Sequence, residues 1–279
     1  WISKTLNRDK NFDLLMYVDS VAGVKLLNDV LAPLKPSRPL TVLIEMGIKG
    51  GRAGARSKET ALEVAKAVAA SDHLVLRGIS GFEGVALPPE GKTVLDGVDA
   101  FLDLIVDTLH AIDAQGSFAK TPEIILTAGG SNYFDRVIAK FTPVTLSKPV
   151  RKVLRSGCYL THDDGFGSPD ARVKDPSVDL PHFHSAIDLW GEVLSIPEPT
   201  RAIVGLGKRD ASFDVSMPVP KLIRRKGQSG FEPATGMSTH TMNDQHLYLN
   251  LAEGASVALG DLISFGIAHP CTTFDKWRN

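Results

Sequence analysis

The sequence has few cysteines, no excess of either charge and no long apolar run, and each absence narrows its class. Only two of the 279 residues are cysteines, Cys158 and Cys271, which is too few for a disulfide framework and favours a reducing, cytoplasmic setting. The formal net charge is −1 with acids and bases mixed throughout, so no basic stripe points to nucleic acid. No run approaches the roughly 20 apolar residues of a membrane helix and no signal-peptide pattern opens the chain, so we expect no membrane association.

Common catalytic and nucleotide-binding patterns are also missing. No serine–histidine–aspartate order or P-loop occurs, and the three glycines within Glu45–Arg52 do not have the dinucleotide-binding spacing. What is present is an ordinary globular composition, 43% hydrophobic and 23% charged. Such a chain is long enough for one large domain and a smaller one.

Strand-like and helix-like segments alternate over the first half of the chain, after a polar lead-in at residues 1–11. Alternation at about 30 residues per unit predicts parallel βαβ topology. A closed barrel needs eight strands, so a chain with six strands would have roughly two further β/α units upstream of Trp1. An open doubly wound sheet would need no further units, and the strand count leaves both folds possible. The six predicted strands are Phe12–Val18, Thr41–Met46, Leu74–Ser80, Glu123–Thr127, Pro143–Leu146 and Val153–Leu160.

Helix signals lie between these strands. Asp19-Ser20 precedes a stretch that Pro36 ends, and an alanine-rich stretch follows the second strand, which predicts helices over Val21–Leu34 and Lys58–Ala70. The third helix has apolar residues at spacings of four, three and four, so we expect it to bury one face. These residues are Val98, Leu102, Ile105 and Leu109.

The pattern changes after Gly165. Proline and glycine recur at close spacing and alternating segments replace the helical ones, which predicts a mostly β domain. We therefore predict a β/α-barrel domain over residues 1–165 and a smaller β-rich domain over 166–279. The predicted strands and hairpin turns of the second domain include Ala202–Leu206, Leu247–Leu251, Leu262–Ile267, Glu253-Gly254 and Gly260-Asp261.

His269-Pro270-Cys271 follows a predicted strand near the end of the chain. In an extended segment, residues i and i+2 point to the same side, so the imidazole and the thiolate would converge. Nitrogen and sulfur donors together suit Zn²⁺, and an ion with two protein ligands keeps positions open for water or substrate, as catalytic sites do. The alternative from the residues alone is a buried cysteine beside a hydrogen-bonded histidine.

Two glycine-containing loops follow predicted strands. Gly129-Gly130-Ser131 and Ser156-Gly157-Cys158-Tyr159 both offer backbone N–H groups at close range and a serine hydroxyl. On neighbouring strands they predict a phosphate cup, and tight turns without a ligand are the alternative for each.

Polar and aromatic residues follow further strands. Arg52 is suited to a carboxylate or phosphate and Phe82 to a planar ring, against the alternatives of a surface ion pair and core packing. In the second domain, Asn243–His246 is either an acid–base pair or a structural element.

Taken together, these motifs resemble the D-serine dehydratase and D-threonine aldolase group, which depends on pyridoxal phosphate (PLP) and has the alanine racemase-like fold. The resemblance runs through most of the chain, and its last motif is the most specific. The motifs are GGRAGAR (Gly50–Arg56), GISGFEG (Gly78–Gly84), TAGGS (Thr127–Ser131), RSGCYLTHDDG (Arg155–Gly165), NDQH (Asn243–His246) and FGIAHPCTTFDKW (Phe265–Trp277).

The resemblance assigns expected roles by position. His269 and Cys271 would hold a divalent ion, usually zinc, next to the cofactor. Arg155 matches an arginine that contacts the pyridine nitrogen in alanine racemases, and Phe82 stands where relatives often have tyrosine, which removes a hydroxyl. The expected PLP contacts are the phosphate cup of Gly130, Ser131, Gly157, Cys158 and Tyr159, and Arg52, Phe82 and Arg155 around the pyridoxal. The resemblance also implies a homodimer.

The Schiff-base lysine of this family, in a His-Ala-Lys-Thr context on the first barrel strand, has no counterpart here. We therefore expect it upstream, with this chain forming the C-terminal three quarters of the enzyme and inactive alone. The implied activity is PLP- and zinc-dependent dehydration of a small D-β-hydroxy amino acid such as D-serine to a keto acid and ammonia. The alternatives are a metal-dependent D-threonine aldolase and, in another class, a non-catalytic module that binds PLP or metal.

Overall fold

The computed structural model describes residues 1–88, 90–157, 160–164, 178–179 and 183–278. The chain divides into two compact units, of which the first contains Trp1–Ser156 and the second ends the chain with Leu180–Asn279. The domain boundary predicted at residue 165 lies outside the described residues.

A five-stranded parallel sheet with helices between its strands forms the first unit. Each strand lies next to the one before it in the chain, which is the arrangement of a β/α barrel wall. In a doubly wound sheet the order in which strands are added would reverse at a switch point. The barrel-like architecture is therefore confirmed. The strands are β1 (Leu15–Val18), β2 (Leu40–Met46), β3 (Leu74–Gly81), β4 (Ile124–Ala128) and β5 (Val150–Leu154). The helices are α1 (Ile2–Arg8), α2 (Val21–Leu31), α3 (Lys58–Ala69), α4 (Val94–Ala114) and α5 (Phe134–Phe141).

Local signals explain where the helices begin. The hydroxyl of Ser20 accepts a hydrogen bond from the backbone N–H of Gly23 (3.2 Å) at the start of α2. Thr93 and Asp96 form a reciprocal capping box at the start of α4. The buried face predicted for α4 is confirmed, because the four residues of the predicted apolar pattern are 0% exposed.

Two predictions for the first unit are wrong, and a third, the strand Val153–Leu160, has other bounds because this strand spans Val150–Leu154. Residues 143–146 form no strand, because α5 ends in a turn in which the N–H of Val144 bonds the carbonyl of Phe141 (3.1 Å). The last strand is therefore β5, and the sheet has five described strands rather than six. The polar lead-in is instead the helix α1, whose Leu6 is buried in the core.

The second unit contains a seven-stranded antiparallel sheet. Its longest strand, β6, pairs with β12 through its first half and with β7 through its second half. The predicted strand Leu247–Leu251 is confirmed, and the two other predicted strands differ by one or two residues at their ends. The strands are β6 (Asp188–Glu198), β7 (Arg201–Val204), β8 (Val219–Arg224), β9 (Glu232–Pro233), β10 (Met237–Met242), β11 (Leu247–Leu251) and β12 (Leu262–Gly266), in the order β10-β11-β7-β6-β12-β8-β9. A short helix, α6 (Pro270–Phe274), follows β12.

No helix in the described part of the chain is long and apolar enough to cross a membrane.

Asp261, at the predicted turn before β12, is buried and holds neighbouring segments together. Its carboxylate accepts hydrogen bonds from the backbone N–H groups of Lys226 and Ala258 (both 2.9 Å) and from Arg225 (3.2 Å). Burial acts to raise the pKa of Asp261, but these bonds outweigh it and hold the pKa below its ordinary value. The ionised carboxylate is thus the form that the fold stabilises.

We expect Asp261→Asn to lower the free energy of unfolding by about 1–3 kcal/mol at neutral pH, because hydrogen bonds to a charged group are lost. A carboxyl with a lowered folded-state pKa stabilises the fold above its unfolded pKa of about 4, and this contribution disappears as the pH falls through the folded value. The difference between wild type and variant should therefore shrink below about pH 4. Urea unfolding at neutral and acidic pH measures it, with the exposed Asp244→Asn as control; an equal difference at both pH values would contradict the assignment.

Candidate active site and metal centre

Most of the cofactor-binding residues predicted in the first unit lie just after the carboxyl ends of its strands. Arg52 is in the loop after β2, Phe82 follows β3, Gly130 and Ser131 follow β4, and Arg155 follows β5. The carboxyl ends of parallel strands lie at one edge of the sheet, which is where β/α barrels place their sites. The fold therefore gathers these motifs from distant parts of the sequence.

The loop after β2 is folded tightly on itself. The side chain of Arg56 donates hydrogen bonds to the carbonyls of Gly51 (3.0 Å), Arg52 and Ala53 (3.3 Å). This anchoring leaves the guanidinium of Arg52 4.8 Å from the ring centroid of Phe82, a cation–π contact. The structure thus brings together two residues that we predicted to line the pyridoxal.

Glu83 holds the glycine turn after β4. Its carboxylate is fully buried and accepts hydrogen bonds from the backbone N–H groups of Gly129 (3.0 Å) and Gly130 (2.7 Å). Both backbone N–H groups are therefore already bonded to the carboxylate of Glu83. If Gly130 contributes to a phosphate cup, it does so without its N–H group. Gly129 adopts a φ of +111°, a conformation that glycine accepts without strain.

The ring of Phe82 packs directly against Gly130. A Cβ atom added at Gly130 would lie 2.5 Å from that ring, so the close approach requires a residue without a side chain. The hydroxyl of Ser156 then donates to the carbonyl of Gly130 (2.7 Å). Glycine at this position therefore has a packing reason, beside the predicted cofactor contact.

Arg155 ties the ends of three strands together. Its Nε donates to the hydroxyl of Thr127 on β4 (3.1 Å), and its Nη2 donates to the carbonyl of Gly81 on β3. These bonds hold the guanidinium at the sheet edge, and the predicted contact with a pyridine nitrogen stays a prediction. Ser131 is half-buried in the turn after Gly130.

The remaining predicted cup residues belong to the segment after β5. At Gly157 an added Cβ would meet nothing within 4 Å, so its backbone is openly accessible. Cys158 and Tyr159 lie outside the described residues, and their expected phosphate contacts stay predictions.

His269 and Cys271 lie in the second unit at the start of α6, and not on an extended segment as we predicted. His269 is the N-cap residue and Pro270 begins the helix, so Cys271 lies in the first turn of α6. Proline at the first helical position is favourable because its missing N–H would be unpaired there anyway. The convergence that we expected from i, i+2 alternation therefore does not follow from the backbone, while the thiol of Cys271 is free and exposed.

The His269 imidazole is held by Asp214, a residue that no motif singled out. Nδ1 of His269 lies 2.6 Å from one carboxylate oxygen of Asp214, and the hydroxyl of Thr272 donates to the other oxygen (3.0 Å). Burial acts to raise the pKa of Asp214, but the hydrogen bonds from His269 and Thr272 outweigh it and lower the pKa below its ordinary value. The second ring nitrogen, Nε2, is left available to bind a metal ion through its lone pair.

The backbone of His269 is held by the same segment of chain. Its N–H donates to the hydroxyl of Ser212 (3.0 Å), and the N–H of Ser212 donates to the hydroxyl of Thr273 (3.1 Å). Further along, the indole N–H of Trp277 donates to the carbonyl of Asp210 (2.8 Å). Segment 210–214 is therefore joined to the C-terminal segment 269–277 by several hydrogen bonds, which hold His269 in place.

The donor set fits a divalent ion with open positions. Nitrogen from His269 and sulfur from Cys271 suit zinc, and within the described ranges there is no group of three or more His, Cys, Asp and Glu residues that would close a structural site. For PLP, the first unit offers the guanidinium of Arg52, which lies over the ring of Phe82 and supplies a cation suited to the anionic groups of the cofactor.

The Asn243–His246 motif is the turn of the hairpin that joins β10 to β11. The N–H of Asn243 donates to the carbonyl of His246 (2.8 Å), and the carbonyls of Asn243 and Asp244 accept from the N–H groups of Lys208 (2.9 Å) and Arg209 (3.1 Å). These contacts support the structural interpretation of this motif, since its backbone shapes the neighbouring loop.

Comparisons show that the chain is similar to proteins named as enzymes of D-hydroxy amino acids. Residues 186–279 match the family described as putative serine dehydratase domain. The 3-hydroxy-D-aspartate aldolase of Paracoccus denitrificans (strain Pd 1222) is 26% identical over 206 residues, which cover 72% of this chain and 48% of that protein. The chain thus spans about half the length of the curated relatives that it matches.

Solved structures show the same fold. D-threonine aldolase from Filomicrobium marinum superposes with a TM-score of 0.66 at 20% identity, over 99% of this chain and 67% of that one. D-threo-3-hydroxyaspartate dehydratase from Delftia sp. HT23 has a TM-score of 0.63 at 17% identity, over 97% and 69% of the two chains. The alanine racemase-like fold predicted from the motifs is confirmed, and the chain is similar to the family that the motifs suggested.

Proposed function

We propose that this chain, whose residues 186–279 belong to the putative serine dehydratase domain family, is part of a PLP- and metal-dependent lyase that dehydrates a small D-β-hydroxy amino acid. D-serine is the proposed substrate, with a keto acid and ammonia as the products. The observation that carries the proposal is the hydrogen bond between Nδ1 of His269 and Asp214, which leaves Nε2 of His269 available to bind a metal ion. The free thiol of Cys271 follows two residues later in the sequence.

The names of the relatives support this substrate class. A 3-hydroxy-D-aspartate aldolase, a D-threonine aldolase and a D-threo-3-hydroxyaspartate dehydratase are each named for a D-amino acid with a hydroxyl at the β-carbon. A cysteine variant of the last of these was solved in a metal-free form. A thiolate ligand in that dehydratase would agree with the proposed role of Cys271.

The bound groups would supply the chemistry that side chains lack: PLP stabilises negative charge at the α-carbon, and a divalent ion stabilises a departing hydroxide. This chain's residues would hold both groups. His269 and Cys271 supply the nitrogen and sulfur donors for the ion. Arg52, stacked on the ring of Phe82, would offer a cation to the pyridoxal, and Arg155 is fixed at the same edge of the sheet.

Retro-aldol cleavage is the second candidate, because a curated relative and a structural neighbour are both named aldolases. Both reactions begin with the same β-hydroxy substrate and would use the same ion at its oxygen. They differ in whether the carbon–oxygen or the carbon–carbon bond breaks. The family resemblance implies that aldolases of this group pair this histidine with aspartate, so Cys271 favours dehydration.

Product analysis with the full-length protein separates these functions. We expect pyruvate and ammonia from D-serine, and loss of this activity when EDTA removes the ion. Glycine and acetaldehyde from D-threonine, without pyruvate from D-serine, would establish the aldolase. Full activity after complete metal removal would refute the metal's role, and absence of turnover on all these substrates would leave a non-catalytic module that binds PLP or metal.

Zinc as the bound ion, a homodimer and a cytoplasmic location complete the proposal. Zinc is supported by the soft sulfur donor, and a reducing compartment by the need to keep the exposed thiol of Cys271 unoxidised. The Schiff-base lysine is proposed to lie outside this chain.

A further inference from the structure

We propose that Asp214 is a positioning residue: it fixes the tautomer and the direction of the His269 imidazole so that Nε2 is presented as the metal donor. The inference rests on the proposed metal site at His269 and Cys271 and adds a residue to it. It concerns contacts within the second unit only.

The contact has the geometry of a strong, directed hydrogen bond. Nδ1 of His269 lies 2.6 Å from Oδ2 of Asp214, although the two residues are 55 positions apart in the sequence. An ionised carboxylate only accepts hydrogen bonds, so the proton of a neutral imidazole resides on Nδ1. The lone pair is then on Nε2. Metal-binding histidines are commonly oriented in this way by a carboxylate on their other nitrogen.

The backbone around this pair is also fixed. The N–H of His269 donates to Ser212, two residues before Asp214, and the carbonyl of His269 accepts from the hydroxyl of Thr273 (3.2 Å). The imidazole and its carboxylate partner are therefore attached to two segments that are bonded to each other independently of the ring. A change at Asp214 alone leaves these backbone contacts in place.

Thr272 determines what an amide at position 214 would do. Its hydroxyl donates to Oδ1 of Asp214 (3.0 Å), the oxygen that does not face His269, and this acceptor is nearer than the carbonyl of His269 (3.3 Å). In Asp214→Asn, this donor would retain the amide oxygen and turn the NH₂ group towards Nδ1. The NH₂ group donates, so it would force the imidazole proton onto Nε2 and block the metal donor. The same change of tautomer explains why an aspartate-to-asparagine change disables the serine protease triad.

Removing the Thr272 hydroxyl should reverse this effect. In the double variant Asp214→Asn/Thr272→Val, the Thr272 donor no longer holds the amide oxygen away, so the amide can rotate and accept from Nδ1. The double variant has the same net charge as the single variant. A recovery of metal affinity therefore separates control of the tautomer from loss of a nearby negative charge.

The test measures zinc affinity of the full-length protein by competition with a chromophoric chelator, and the spectrum of the Co²⁺-substituted protein. We expect Asp214→Asn to weaken zinc binding by roughly 10–100-fold, as outer partners of metal ligands usually do. Thr272→Val alone should change the affinity little, and the double variant should recover a substantial part of the loss. The exposed Asp244→Asn is the charge-matched control, and thermal unfolding of the metal-free proteins monitors the fold.

The outcomes separate the inference from the proposed function. Wild-type affinity in Asp214→Asn, or a double variant as weak as the single one, would overturn the tautomer assignment while leaving the metal site intact. If the wild type bound no divalent ion, or His269→Ala bound it normally, the proposed metal site itself would be refuted.

Discussion

His269→Ala in the full-length protein should remove metal binding and lower kcat/KM by more than the roughly hundredfold that loss of an outer partner of a metal ligand costs. Only two side chains are proposed to hold the ion, so losing the nitrogen donor leaves a single thiolate. Inductively coupled plasma analysis of the purified protein and steady-state kinetics measure the two effects.

Two further variants make this result specific. Cys271→Ala should resemble His269→Ala, whereas Cys271→Asp should retain an ion, because a carboxylate replaces the lost donor. His246→Ala is the matched control, since His246 is exposed in the hairpin turn between β10 and β11. A His269→Ala protein that kept both its metal and its activity would contradict the site.

The second large effect is expected for Glu83→Gln, which should lower the free energy of unfolding of the first unit by about 2–4 kcal/mol. The buried carboxylate accepts from both Gly129 and Gly130, and hydrogen bonds to a charged group contribute about 1.5–3 kcal/mol each. A glutamine has one acceptor oxygen, so its NH₂ group would face one of the two N–H donors. Chemical unfolding of the variant measures the loss.

Glu63→Gln is the matched control, because Glu63 is exposed on α3 and makes the same change of charge on a helix surface. Its free energy of unfolding should stay within about 0.5 kcal/mol of the wild type. If Glu83→Gln were equally mild, the two glycine amides would not depend on this carboxylate, and they would be available to bind a phosphate.

The elements that sequence alone predicts well are those with a strong local period. The four apolar positions predicted for one face of α4 (Val98, Leu102, Ile105 and Leu109) are all buried, and Leu247–Leu251 alternates as a half-buried strand does. The order of strands and helices likewise places Arg52, Phe82 and Gly130 at one edge of the sheet. These features depend on neighbours in the sequence or on chain order.

The features that sequence does not reveal depend on partners far apart in the chain. Glu83 reaches Gly129 across 46 positions, and Asp214 reaches His269 across 55. Asp214 belongs to no motif, and the motif that contains Glu83 gives no sign of its glycine partners, so only the folded chain identifies the partner of each carboxylate. The helical start at Pro270 was missed for a different reason, since α6 is only five residues long and too short to show a period.

The packing of Phe82 against glycine also limits how bulk is distributed beside the candidate cofactor site. A Cβ at Gly84 would lie 2.5 Å from the tip of the ring, just as one at Gly130 would lie 2.5 Å from its edge. The ring therefore fills a volume that three positions share, and this volume holds one large side chain and no more. The size of the residue at 82 and the absence of side chains at 84 and 130 form a single steric unit, in which enlarging any one member requires trimming another.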